Sequence, residues 1–147
     1  MNVLSQIAAN KTLLIPIGAW LVAQALKTII QALREKRLNP RYVIASGGMP
    51  SAHASLVCAL ATASGILHGV DSAAFGISVI LAAVVMYDAT GVRQAVDKQS
   101  AILKHLLVEF PKTHLEFERF LRQLVGHTRF QVVAGAGLGI LLACWWA

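Results

Sequence analysis

The sequence predicts an all-α integral membrane protein, a helical bundle with about four spanning helices and short interfacial helices. Hydrophobic residues make up 56% of the 147 residues and charged residues only 14%, whereas a soluble domain carries roughly 25% charged residues. Several apolar runs approach the roughly 20 residues that a helix needs to cross a bilayer. The length suits one domain, so residues 1–147 are predicted to form a single membrane-embedded domain. A very hydrophobic soluble bundle is the alternative.

Four apolar runs are the candidate spanning helices, and turn signals separate them. Asn39-Pro40 and Gly47-Gly48 follow the first run, and a tight turn at residues 68–72 separates the second from the third. Trp145-Trp146 ends the fourth run, where an aromatic belt at the membrane surface is expected. The third run is short and is open to extension as far as Val92. The four runs cover residues 13–33, 50–67, 73–87 and 128–146.

Two shorter segments are predicted to lie at the membrane surface. Residues 1–10 suit a short interfacial helix, and residues 101–110, AILKHLLVEF, have the pattern of an amphipathic helix. The first ten residues contain no Lys or Arg, so a cleavable signal peptide is not predicted.

The basic residues behind the net charge of +6 are concentrated in two loops. Residues 34–49 hold four basic residues against one acid, and residues 93–130 hold seven against four. With four spans both loops fall on one face, and positive residues collect on the cytoplasmic side of a bacterial-type inner membrane. Both termini are then predicted outside. Basic residues confined to loops, without interleaved aromatic residues, do not indicate a nucleic-acid partner.

Polar residues gather at the cytoplasmic ends of these runs. Lys27 lies about two turns before the end of the first run, and Arg34, seven residues on, falls about 20° from the same helical face. Ionisable residues inside a membrane are costly and usually functional. The full set is Lys27, Arg34, Ser51, His53, Asp88, Arg93 and His127.

Each member of this set also has an ordinary structural interpretation. Lys27 can extend its ammonium group to the lipid headgroups, Ser51 can cap the second helix, and Asp88 can pair with Arg93. The remaining members can be anchoring or hydrogen-bonded interfacial residues. The convergence of four sequence-distant segments on one face favours a site.

The chemistry of the set suits a phosphate. Cationic side chains and the N–H groups at a helix start bind phosphate, and Gly47-Gly48 lets the backbone approach it closely. One histidine can attack phosphorus while another protonates the leaving oxygen. The acids are too few for a two-metal site and a Walker A loop is absent, so no metal or other cofactor is predicted.

Three segments carry a resemblance to a known family. They are GGMPSAHAS at 47–55, VMYDATGVRQA at 85–95 and GHTRFQVVAGAGLGI at 126–140. Over about residues 13–142 the chain resembles the divergent branch of the type 2 phosphatidic acid phosphatase superfamily, which is related to acid phosphatases and vanadium-dependent haloperoxidases. The resemblance implies a metal-independent membrane phosphatase that acts on a phosphorylated lipid.

The first two motifs of that superfamily match closely. Lys27 and Arg34 have the spacing of Lys-x6-Arg-Pro, with Glu35 in place of the proline. Residues 50–53 resemble Pro-Ser-Gly-His, with alanine in place of the glycine. By this likeness Ser51 holds a phosphate oxygen and His53 is the general acid. Gly48 is a further candidate for phosphate binding, because the glycine pair lets the backbone approach the ligand.

The third motif, Ser-Arg-x5-His-x3-Asp, matches less completely. His127 matches the nucleophile, but Gln131 occupies the position of the acid that orients it, and Leu121 occupies the position of the arginine. A glutamine can accept a hydrogen bond from the imidazole but cannot stabilise its positive charge as a carboxylate does. Asp88 is the candidate replacement for the acid and Arg93 for the arginine. Arg119 and Arg122 are alternatives to Arg93.

The sequence thus predicts an integral membrane lipid phosphatase that works through a phosphohistidine at His127. Phosphatidylglycerophosphate is the favoured substrate, because a cytoplasmic site meets lipids as they are made. Substrate and membrane lipids are the predicted partners, and a homo-oligomer is left open. Two alternatives stand beside it: a catalytically weak lipid-phosphate binder, and a structural membrane subunit.

Overall fold

Five helices make up most of the part of the chain that the structure describes. The computed structural model describes residues 2–35, 48–90, 99 and 129–147, and these ranges contain no strand. The all-α class is confirmed for this part of the chain, and each predicted span coincides with one helix. The helices are α1 (Val3–Ala9), α2 (Lys11–Glu35), α3 (Ala52–His68), α4 (Ala73–Thr90) and α5 (Arg129–Trp146). The predicted amphipathic helix at 101–110 lies outside the described residues.

Two helices are long and apolar enough to cross a membrane, namely Lys11–Leu33 within α2 and Ala73–Thr90, which is α4. The apolar helices Ala52–His68 and Phe130–Trp146 are shorter. At about 1.5 Å per residue, the 17 residues of α3 extend about 25 Å, against about 30 Å for a hydrocarbon core. The short helix α3 is also the central one, because it packs against α2, α4 and α5.

Small residues allow α3 to occupy the centre. Its sequence, AHASLVCALATASGILH, is rich in alanine and serine, and small side chains let helix backbones approach closely in a membrane. Ala59 and Ala63 are fully buried and form a cluster with Ile15 and Ala19 of α2 and Ala143 of α5. The larger apolar side chains of α4, such as Ile77 and Val84, are mostly exposed and suit contact with lipid.

The closest helix contact joins α3 to α5. A Cβ built on Gly135 would lie 3.0 Å from the backbone N and C atoms of Ser51 and closer still to its carbonyl oxygen. Gly139 has the same relation to Ser55, one turn further along. The segment Gly135-x-x-x-Gly139 therefore lies directly on the backbone of α3, as in other glycine-mediated membrane contacts.

A short turn connects α3 to α4, as predicted. Gly69 ends α3 with φ +87°, a conformation that glycine adopts without steric cost. Ser72 caps α4, because its hydroxyl accepts a hydrogen bond from the Phe75 N–H at 3.2 Å. Deeper in the bundle the Ser64 and Ser78 hydroxyls are hydrogen-bonded at 3.1 Å, which joins the two helices.

Contacts at one end of the bundle fix the helix directions. Thr12 Oγ1 and His68 Nε2 lie 2.7 Å apart, and Lys11 Nζ donates to the Ala147 carbonyl at 3.3 Å. At the opposite end, Ala54, Ala89 and Val132 form one cluster. Helices α3 and α5 are therefore parallel to each other and antiparallel to α2 and α4. The predicted alternation is confirmed, and residues 36–47 and 91–128 both connect helix ends at that opposite end.

Candidate functional site

Helix α3 begins at a buried serine at the end of the bundle where the two basic loops attach. Ser51 is the N-cap, and its Oγ accepts a hydrogen bond from the Ala54 N–H at 3.4 Å. Its own N–H donates to the Gln131 carbonyl at 3.0 Å. The capping interpretation is therefore correct. At every helix start some N–H groups of the first turn have no partner inside the helix. Such groups favour anions.

The residues that lead into α3 lie against α2. Gly48 has φ +106°, and a Cβ built there would lie 3.0 Å from Lys27 Cγ and 3.1 Å from Gln31 Nε2. Only glycine meets both constraints, because it tolerates positive φ and has no side chain to collide with α2. The sequence predicts that the backbone at Gly48 approaches a phosphate closely. In the structure this backbone lies close to α2. The peptide bond between Met49 and Pro50 is cis.

Lys27 is buried inside the bundle. Only 2% of its surface is exposed, and the middle of its side chain packs on Gly48. Extension of the ammonium group to the headgroups would leave the side chain exposed, so the burial contradicts that interpretation. A lysine buried within a membrane helix is costly and marks a functional site by default. Arg34 lies in the last turn of the same helix, seven residues on.

Gln31 lies between these two cations and was not singled out from the sequence. It follows Lys27 by four residues and precedes Arg34 by three, so all three positions share one helical face. Its Oε1 atom is buried and has no hydrogen-bond partner among the described residues. The spacing was the signal that could have found it, since a polar residue between two motif cations lies at the same site.

His53 and Ser51 differ in exposure although they are only two positions apart. Ser51 is completely buried and His53 is exposed, because successive helical positions turn by about 100°. The structure therefore brings Lys27, Gly48 and Gln31 together, with Ser51 three residues after Gly48 in the chain. His53 is exposed at the same end.

Gln131 joins the start of α5 to the start of α3 through its backbone carbonyl. It lies in the first turn of α5, four residues after His127 in the sequence. His127, the predicted nucleophile, lies outside the described residues, as do Arg93 and the alternative arginines Arg119 and Arg122. Their roles stay predictions.

Asp88 lies near the end of α4 with an exposed side chain. The next residue, Ala89, is the one that faces the other helices, where it packs against Ala54 and Val132. No side-chain hydrogen bond or ion pair links Asp88 to another described residue. Its proposed role toward His127 stays a prediction.

A second feature of α2 is a groove of about 400 Å³ on a different part of its surface. Leu21, Gln24, Ala25, Thr28 and Ile29 line it. Leu21, Ala25, Thr28 and Ile29 are turned away from Ala19, Ala23 and Lys27, which face the bundle. Gln24 lies at the edge of the groove nearer to Lys27. Within residues 2–35, 48–90, 99 and 129–147, no three His, Cys, Asp or Glu side chains form a group that could hold a metal.

Comparison with known proteins places the chain in a family. Residues 8–142 match the Divergent PAP2 family. The chain is also 35% identical to a Bacillus subtilis protein named uncharacterized membrane protein YuiD, over 148 residues that cover 93% of this chain and 94% of that relative. No solved structure matches the chain.

Proposed function

Because the chain belongs to the Divergent PAP2 family, we propose that it is an integral membrane phosphatase that hydrolyses a lipid phosphomonoester. The observation that carries the proposal is the burial of Lys27 beside Gly48 at the start of α3. Burial of a cation in an apolar helix bundle is energetically costly. An anion that enters from the membrane surface would offset this cost.

The proposed binding step uses groups from two helices. The N–H groups at the start of α3 and the Ser51 hydroxyl would hold the phosphate oxygens. Lys27 and Arg34 on α2 would neutralise the phosphate charge, and an arginine can contact two of its oxygens at once. Arg93 would complete the set. The acyl chains would stay in the bilayer beside the helices, so the apolar part of the substrate need not leave the membrane.

The proposed reaction has two steps. In the first, a His127 nitrogen attacks phosphorus, the phosphorus–oxygen bond to the lipid breaks, and His53 gives its proton to the leaving lipid alkoxide. In the second, water attacks the phosphohistidine, His53 takes a proton from that water, and inorganic phosphate leaves. Atoms and charges balance without an oxidant or a metal. Asp88 or the Gln131 amide would orient His127.

We place the site on the cytoplasmic face, because the two basic loops attach at that end of the bundle. A cytoplasmic site meets newly made lipids, so we rank phosphatidylglycerophosphate ahead of phosphatidic acid and of prenyl diphosphates. The test is kcat/KM for these three lipids and for a water-soluble phosphomonoester, measured in one detergent. A preference for the soluble ester or for the prenyl diphosphate would contradict the ranking.

Cofactor dependence gives a separate test of the mechanism. Activity should survive EDTA, and vanadate should inhibit it, since vanadate adopts the trigonal-bipyramidal geometry of in-line attack on phosphorus. Strict dependence on magnesium would contradict the phosphohistidine scheme.

One observation favours a second candidate, a lipid-phosphate binder with little or no turnover. Gln131 stands where the family motif has an acid, and an amide stabilises an imidazolium less well than a carboxylate does. Binding of phosphorylated lipid by the purified protein, without release of inorganic phosphate, would support this candidate over the enzyme.

A further inference from the structure

Gln31 occupies a position that none of the family motifs assigns. It lies on the face of α2 that carries Lys27 and Arg34, between the two in sequence. Its amide also reaches the residue that leads into α3, since a Cβ on Gly48 would lie 3.1 Å from Gln31 Nε2. Gln31 is therefore part of the surface where α2 meets the start of α3.

The amide oxygen of Gln31 lacks a donor. Oε1 is buried and accepts no hydrogen bond from any described residue. A buried acceptor without a donor is destabilising, and such atoms in native structures point to a water, an ion or a ligand group that completes them. A metal cation does not suit this position, because Lys27 precedes Gln31 by one helical turn on the same face. A water or an O–H group of a bound anion would supply the missing donor.

We infer that Gln31 is a binding residue of the phosphate site, and that its Oε1 accepts a hydrogen bond from an O–H group of the substrate head. The inference rests on the proposed function and adds a specificity element to it. A phosphomonoester offers the required chemistry, because its negative oxygens satisfy the cations while an O–H on the phosphate or beside it satisfies the amide. The second pKa of such a phosphate is about 6, so the singly protonated form is abundant in mildly acidic solution.

The chain supplies a matched control in Gln24. It is the same residue type on the same helix, two turns away, and therefore on nearly the same face about 10 Å further from the end of α2. Gln24 lines the groove with Leu21 and Ile29 instead of lying beside Gly48. Its Oε1 is buried and, like that of Gln31, accepts no hydrogen bond from any described residue, so this control also removes a buried amide oxygen, but one that lies away from the start of α3. Methionine has nearly the length of glutamine, forms helices as well and suits a membrane, so Gln31→Met and Gln24→Met should both fold.

The test is kcat/KM of the full-length protein and both variants with phosphatidic acid and with phosphatidylglycerophosphate, at pH 5.5 and pH 7.5. Gln31→Met should lower kcat/KM about tenfold, mainly by raising KM, with Tm unchanged or raised. A loss with both lipids that is larger at pH 5.5 identifies the protonated phosphate oxygen as the donor. A loss restricted to phosphatidylglycerophosphate identifies the hydroxyl beside its terminal phosphate. Gln24→Met should match the wild type.

Two results would overturn the inference: unchanged kinetics in Gln31→Met, or an equal loss in Gln24→Met. If the wild type hydrolyses neither lipid, the proposed function fails, and Gln31 is tested by binding alone. Vanadate carries protonated oxygens near neutral pH and should raise the Tm of the wild type and of Gln24→Met. An equal rise in Gln31→Met would then refute the role of Gln31.

Discussion

Gly135 lies so close to the backbone carbonyl of Ser51 that no Cβ fits between them. The Ser51 N–H donates to the carbonyl of Gln131, which precedes Gly135 by one turn on α5. The start of α3, which carries the N-cap, is therefore held against α5 by two backbone contacts. The packing of two helices and the geometry of the candidate site depend on the same few atoms.

Substitution of Gly135 by alanine should destabilise the protein. Overpacking typically costs about 1–3 kcal/mol, and backbone atoms of α3 cannot rotate away as a side chain would. Gly137 is the control, because a Cβ there would meet nothing within 4 Å. Gly137→Ala should be neutral or stabilising by up to about 1 kcal/mol. Thermal unfolding in detergent compares the two, and equal Tm values would contradict the close contact.

Replacement of Lys27 by methionine should separate stability from function. A methionine fills similar space without a buried charge, so the variant should still fold. Loss of a charged hydrogen-bond donor to phosphate should lower kcat/KM by about 10- to 100-fold. Lys11→Met, at the opposite end of the bundle, is the control and should leave kcat/KM unchanged. Full activity in Lys27→Met would remove Lys27 from the site.

The two histidines assigned to chemistry should behave differently from a structural one. His127→Ala should abolish turnover and any trapped phosphoenzyme, and His53→Ala should cost roughly 10²–10⁴ in rate. His68 bonds to Thr12 at the other end of the bundle, so His68→Ala should retain kcat. Rapid-quench trapping with a radiolabelled lipid phosphate measures both steps. Near wild-type activity in His127→Ala would show that the nucleophile is another group.

Gly48 should not tolerate a side chain. Alanine at φ +106° is strained by roughly 1–2 kcal/mol, and its Cβ would also press on Lys27 and Gln31. Gly48→Ala should therefore lower both Tm and the affinity for vanadate. Gly76→Ala, in a helical position with open space around it, serves as the control for the loss of a glycine. A Gly48→Ala protein with wild-type vanadate inhibition would argue against a site at this contact.

Single cysteines can test the orientation in the membrane. In a background without Cys58 and Cys144, cysteines at Lys36 and Lys112 should resist an impermeant thiol reagent added to intact cells. A cysteine at Asp71, in the turn between α3 and α4 at the other end, should react readily. The reverse pattern would show that the candidate site faces outward.

The helices themselves were predictable because each depends on local sequence. Runs of apolar residues predict α2 to α5, and glycine with serine predicts the turn at Gly69. The contact between Gly135 and Ser51 was not predictable, because it depends on which helix faces meet across about 80 residues of chain. The glycine pattern alone does not name its partner.

The site was predictable where a motif fixes the spacing of residues on one helix. The common helical face of Lys27 and Arg34 follows from their seven-residue spacing and the helical repeat alone. Gln31 was missed although its spacing places it on the helical face of Lys27 and Arg34, because an uncharged glutamine matches none of the family motifs. The position of Asp88 near the end of α4 was predicted, but its exposure was not. The packing of α4 directs Ala89 inward and leaves the Asp88 side chain exposed.

The parallel pairing of α3 and α5 has a consequence for biogenesis. Helices α2, α3 and α4 are synthesised first, and α5 follows only after residues 91–128. Until then the side of α3 that carries Ser51 and Ser55 lacks its glycine partner. Until the last helix enters the membrane, this surface of α3 therefore contacts lipid or the insertion machinery. Two fragments cut within residues 91–128 and expressed separately should thus still associate, because the contact between α3 and α5 forms after the other helices are made.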